Sequence, residues 1–299
     1  MASIQNFFIR SFLKLTINKE RMVTDSIERT REGLVKLTKM AAMPKGVKFE
    51  KTECDGVPAE WAIPDNLHNQ GVVLFLHGGA YVAGSIATHR ALVGRIAKAS
   101  KTKCLSIEYG LAPERPFPQG IDDAIKAYNW LMKKGFDHKK IVISGDSAGG
   151  GLAIATLVKL RDEKAPQPAA GVVMSPWLDL LNSGDSGKRL AKEDPMLSVV
   201  SGHIYAKLYG TENDLKHPHI SPLYTDPKGL PPIYIQVSSS EILLDDTLRF
   251  EAKAKAAGVD IQVESWKKMV HVWQAYGPYL PEAMKAIEKM GAYIEKKTK

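Results

Sequence analysis

Six short apolar runs alternate with segments of helical spacing through most of the chain, and few architectures accommodate that pattern. Val72–Leu76, Lys103–Tyr109, Ile141–Ser144, Gly171–Ser175, Pro232–Ser238 and Ile261–Trp266 read as strands. Between and after them lie His89–Ser100, Asp122–Lys133, Ala148–Arg161, Asp246–Ala257 and Glu282–Lys297, whose apolar residues recur three and four apart, as on a helix face. Strand-helix alternation with near-continuous apolar strands implies βα units and a mostly parallel sheet covered on both faces. In such sheets ligands sit at the carboxyl ends of the strands. The expected fold class is therefore α/β, with a mostly parallel central sheet flanked by helices. An antiparallel opening is also expected, because Val47–Cys54 and Val57–Ile63 flank Asp55-Gly56, a dipeptide suited to a two-residue hairpin.

Two stretches stand outside the alternation. Residues 1–45 are helical and precede any strand, and residues 180–220 are broken by Pro195, Pro218 and several Gly and Asp. Both are expected to cap the site, 1–45 as the N-terminal part of a helical cap and 180–220 as a segment inserted into a core of 46–299. A length of 299 residues suits one such core, and no Gly/Ser linker or internal repeat divides it.

Net charge is +8, which would favour nucleic acid or an anionic surface if the charge were clustered. It is spread instead. The densest stretch, Lys285 to Lys299, holds five lysines against Glu288 and Glu295, as a solvated helix end does, and no nucleic-acid module is present. No nucleic-acid partner is expected. Cys54 and Cys104 lack the number and spacing of a disulfide framework or a metal site, so no metal is expected and a reducing, cytoplasmic setting is. Near the N-terminus Arg10 and Lys14 interrupt Phe7, Phe8, Ile9, Phe12 and Leu13, which excludes a spanning helix or signal peptide and any stable membrane insertion. Phe8, Phe12 and Leu15 instead share one face of an amphipathic helix, and a membrane-surface anchor is the alternative reading.

Chemistry concentrates at two turns. Gly145-Asp146-Ser147-Ala148-Gly149 follows a strand and opens a helix, the context in which G-x-S-x-G holds a serine hydroxyl exposed above the sheet. His77-Gly78-Gly79-Ala80-Tyr81 follows the Val72–Leu76 strand, and consecutive glycines let backbone N–H groups converge on an oxyanion. Gly78 and Gly79, with the N–H of Ala148, are the candidate donors.

These residues carry a resemblance. HGGAY at 77–81 and GDSAGG at 145–150, with Tyr109–Pro118, Asp194–Ser198, Ser221–Tyr224 and Leu230–Pro232, resemble the bacterial hormone-sensitive-lipase-like esterases of the α/β-hydrolase superfamily, over about residues 45 to 290. The resemblance implies an α/β-hydrolase fold with a helical cap, a small-molecule ester substrate of short to medium acyl chain, no cofactor, and a homodimer through the last strand. A serine needs a base to take its proton and an acid to orient that base. In this superfamily the chain order is Ser, acid, His, which makes Ser147 the nucleophile and His271, after the final strand, the base. The acid stays open. Relatives show D-P-L-x-D where this chain has Glu241-Ile242-Leu243-Leu244-Asp245, so Glu241 takes the catalytic register and Asp245 is the runner-up.

Glu114, Arg115 and Asp123 read as braces beneath the site. Met40, Met43, Phe8, Phe12, Tyr205 and Leu208 are candidates for an acyl pocket in the cap. Rival functions are another acyl hydrolase, such as a lactonase, amidase or deacetylase, and a non-catalytic ligand receptor on the same scaffold.

Overall fold

The structure is a computed structural model that describes residues 2–19, 21–39 and 41–299. Eight strands form one sheet in the order β1-β2-β4-β3-β5-β6-β7-β8. They are β1 (Val47–Cys54), β2 (Val57–Pro64), β3 (Val72–Leu76), β4 (Lys103–Ile107), β5 (Ile141–Asp146), β6 (Ala170–Met174), β7 (Ile233–Ser238) and β8 (Ile261–Trp266). β1 and β2 are antiparallel, β2 meets β4 antiparallel, and every pairing from β4 to β8 is parallel. The hairpin closes through Asp55 and Gly56, with φ of 49° and 89°, the left-handed pair that a tight two-residue turn requires.

Among the described residues ten α-helices surround the sheet: α1 (Ile4–Thr16), α2 (Arg21–Thr24), α3 (Ile27–Thr38), α4 (Ile86–Ser100), α5 (Gln119–Lys133), α6 (Ser147–Asp162), α7 (Ser186–Arg189), α8 (Val199–Gly210), α9 (Leu244–Ala256) and α10 (Pro281–Thr298). α4 starts three residues before its apolar spacing does, because Ser85 and Thr88 form a reciprocal capping box ahead of His89. Alternate strand residues feed two cores. Leu74, Leu76, Leu105, Ile143, Val173 and Ile235 pack with α5, α6 and α9 on one face. Val73, Phe75, Cys104, Val142, Val172 and Tyr234 pack with α4 and α10 on the other. That two-sided burial explains why the strands read as apolar runs rather than as alternating ones. Each fully buried large side chain contributes ~1.5–3 kcal/mol to that core.

The N-terminal helices straddle the sheet's carboxyl edge. Arg31 on α3 donates to the carbonyls of Val82 and Ala112 and makes a two-pronged ion pair with Glu114. Arg10 on α1 donates to the carbonyls of Lys268, Met269 and Glu193, and Lys19 to those of Ala191 and Asp194. α2 lies against α8, so both non-alternating stretches meet above the strand ends.

Candidate active site

β5 is buried along its whole length between β3 and β6, and α6 starts at Ser147, the residue directly after its last, Asp146. The chain reverses so sharply there that Ser147 has φ of 54°, a left-handed conformation rare for serine and one that stores strain. The flanking glycines are required by contact. A Cβ on Gly145 would sit 2.4 Å from the Gly149 carbonyl oxygen, and one on Gly149 would sit 2.1 Å from that of Leu76. The elbow therefore packs directly against the end of β3, where the next turn begins.

That turn is fixed by side chains. His77 is buried, stacked on Tyr109 at 4.4 Å, and Tyr109 Oη donates to the His77 carbonyl at 2.6 Å. Burial, with the charge of His89 adding to it, pushes the His77 imidazole down to about 3, so it is neutral. The N–H of Gly78 donates to Oδ1 of Asp146 at 3.0 Å. Gly78 is one of the candidate oxyanion donors. Its N–H is committed to a carboxylate, whereas among the described residues no acceptor pairs with those of Gly79 and Ala80. Ala80 carries φ of 55°, and Gly79 before it φ of 128°. Ala148 lies in the first turn of α6, where backbone N–H groups have no intrahelical partner.

Asp146 and His89 form a buried ion pair at 3.3 Å. Burial works against both charges, yet each partner outweighs it, so Asp146 is held below the usual carboxylate range and His89 above the usual imidazole value. Neither residue is marked by the sequence, since the second position of the elbow and a histidine inside a helix give no local signal.

His271 follows β8 on a loop that turns back across the strand ends. The next residue, Val272, donates its N–H to Ser175 Oγ at 3.3 Å, at the end of β6 and beside the elbow strand. His271 Nδ1 lies 2.7 Å from Glu241 Oε2. The other carboxylate oxygen, Oε1, accepts from the Ser238 N–H at 3.0 Å. Ser238 Oγ in turn donates to the Met269 carbonyl, and the Lys268 N–H donates to Ser239 Oγ, stitching the acid loop to the histidine loop. Burial opposes a charge on His271, but the hydrogen bond and charge of Glu241 prevail, raising its pKa above the ordinary imidazole value. Asp194 supports the pair from the inserted segment, with Oδ2 accepting from the Ile242 N–H and Oδ1 from Met196 and Leu197. Asp245 faces elsewhere. It accepts from the Ser186 N–H at 2.8 Å and pairs with Arg189, anchoring α7.

Asp123 is fully buried and accepts from the Gly110 N–H, Gln119 and Arg115, in keeping with a brace. Of the acyl-pocket candidates, Tyr205 is buried and Leu208 packs against the main core. Phe8, Phe12 and Met43 are exposed rather than turned toward the core, and on α1 it is Asn6 and Leu13 that face inward. Met40 lies outside the described residues.

A model of the α/β-hydrolase fold matches residues 73–275. The chain belongs to that family. More narrowly, it is a bacterial hormone-sensitive-lipase-like α/β-hydrolase. An acetyl-hydrolase of Streptomyces hygroscopicus is 40% identical over 240 residues, 80% of each chain. An esterase of Acinetobacter venetianus is 33% identical over 289 residues, covering 96% of this hydrolase and 95% of the relative. The crystal structure of an esterase from the bacterial hormone-sensitive lipase family is 37% identical, covers both chains completely and superposes with a TM-score of 0.94. Among the described residues of the hydrolase, no helix is long and apolar enough to cross a membrane.

Proposed function

We propose that this hydrolase cleaves carboxylic esters of short to medium acyl chain through an acyl-enzyme on Ser147. The observation that carries the reading is the His271–Glu241 contact of 2.7 Å, on a loop drawn back over the strand ends toward a serine held at φ of 54°. With Nδ1–H donated to Glu241, the lone pair of His271 sits on Nε2, the nitrogen that can take the proton of Ser147. The serine oxygen then attacks the ester carbonyl. Negative charge develops on the carbonyl oxygen, and the N–H groups of Gly79, Ala80 and Ala148 stabilise it without reorganising. The imidazolium, held in place by Glu241, returns its proton to the leaving alcohol, and a water deprotonated by His271 releases the acid by the reverse route.

Residues 1–45 and 180–220 form the cap that bounds the acyl site, a reading supported by the Lys19 and Arg10 bonds to residues 191–194. A cytoplasmic setting is supported by Cys54 and Cys104, both buried free thiols. β8 is one of the sheet's two outer strands, and its open edge is where a homodimer would add strand to strand. Ser147→Ala tests the mechanism: p-nitrophenyl butyrate turnover retained above a trace level would remove Ser147 from it. A kcat/KM series from acetate to palmitate, expected to peak at short or medium chains, tests the acyl range.

A further inference from the structure

The apolar surface of this chain is unevenly placed. Of the large hydrophobic side chains that are exposed, most lie on the cap, and α1 carries the densest group: Ile4, Phe7, Phe8, Phe12 and Leu15, each more than half exposed. Spacing by three and four residues puts Ile4, Phe8 and Leu15 along the outward midline of the helix, with Phe7 and Phe12 to either side. The inward face is unusual in the opposite sense. It buries Asn6 beside Leu13, and Asn6 and Arg10 are tied to the carbonyls of Lys268 and Met269, so α1 is pegged to the hydrolase by polar bonds with its aromatic side turned out. An apolar helix stripe that faces water costs stability unless something covers it.

The charge beside the stripe selects the occupant. Phe7 borders an open depression that also holds Lys14, Lys267 and Lys268, and among the described residues no carboxylate pairs with these three lysines. Of the acidic groups at its border, Glu193 pairs with Arg10 at 3.5 Å, and Glu282 is engaged by the Ser3 N–H and hydroxyl at 2.6 and 2.8 Å. Two copies of this face would oppose lysine to lysine, which disfavours self-association through it. A surface that is negative at the headgroups and apolar a few ångströms deeper satisfies both features.

We propose that α1 is a peripheral docking surface for anionic lipid, with Phe8, Phe12 and Leu15 entering the headgroup boundary and Lys14, Lys267 and Lys268 contacting the phosphates. Among the described residues no helix is long and apolar enough to span the bilayer. Because Asn6 and Arg10 hold the loop that leads into His271, docking sets the cap and the catalytic loop against the lipid surface while the bulk of the sheet stays in water.

Vesicle co-sedimentation of the full chain tests this, with phosphatidylcholine vesicles made with and without phosphatidylglycerol. Binding is expected only with the anionic lipid and is expected to weaken as salt rises. Phe8→Ser with Phe12→Ser should lower partitioning at least about tenfold, with turnover of soluble p-nitrophenyl butyrate unchanged. Lys14→Gln, Lys267→Gln and Lys268→Gln together should lower it about a hundredfold on anionic vesicles, a loss that does not depend on the aromatic substitutions being tolerated. No binding to anionic vesicles, or equal binding by wild type and both variants, would overturn the proposal. So would a concentration-dependent dimer dissolved by the Phe8/Phe12 substitutions, which would make a second copy the occupant.

Discussion

The N–H of Gly78 donates to Asp146 across 3.0 Å, joining the turn after β3 to the residue that precedes the proposed nucleophile. One carboxylate thus fixes the elbow and the oxyanion loop relative to each other, and His89 holds that carboxylate from behind. Asp146→Ala frees the Gly78 turn and leaves His89 buried without its partner. Turnover number is expected to fall about 100-fold, with KM changed far less, because the donors misalign at the stage where charge develops. Asp146→Asn keeps an acceptor for Gly78, so it should stay within about tenfold of wild type. Steady-state kinetics decide it: an alanine variant with wild-type kcat would show that the loop holds itself.

Glu241 and Asp245 are one helical turn apart, yet their carboxylates serve different neighbours. Glu241 meets His271 and the Ser238 N–H, whereas Asp245 meets Ser186 and Arg189. Glu241→Gln is expected to lower kcat about 10²- to 10⁴-fold, because an amide can present its N–H to Nδ1 and favour the wrong imidazole tautomer. Asp245→Asn should cost activity little and stability about 1 kcal/mol, through a weakened hold on α7. Measured kcat and thermal midpoints for the two variants separate the roles, and the reverse pattern would transfer the acid to Asp245.

Much of the architecture was legible because its causes are local. Buried parallel strands must be apolar on both faces, and Asp55-Gly56 must turn, so the strands and the hairpin are visible without tertiary knowledge. The family resemblance likewise led to Ser147, His271 and the family membership that the relatives show. What sequence could not supply was direction. Gly78 and Gly79 look equivalent as letters, but only the folded turn aims one N–H at Asp146 and leaves the other without an acceptor among the described residues. Phe8 and Phe12 share a face by spacing alone, and spacing does not say whether that face looks inward. Here Asn6 and Arg10, bonding to carbonyls of the 268–269 loop, rotate it outward.

The pH dependence follows from the surroundings of His271. Burial disfavours its imidazolium, but Glu241 at 2.7 Å, with Asp194 and Asp146 more distant, more than offsets that, so the group holds its proton above the ordinary value of 6.5. Only the neutral ring can accept the serine proton. The kcat/KM profile should therefore rise with pH through an apparent pKa above 6.5. Removing the charge with Glu241→Gln leaves burial as the main influence, and the acid limb should move to lower pH even as the maximal rate collapses. Asp194→Asn should shift it the same way by less, since that carboxylate acts through space and also holds the Ile242 N–H. Profiles recorded on p-nitrophenyl butyrate from mildly acidic to mildly basic buffer give the three limbs. Coincident limbs for wild type and Glu241→Gln would mean that Glu241 does not govern the base, whatever its distance from the ring.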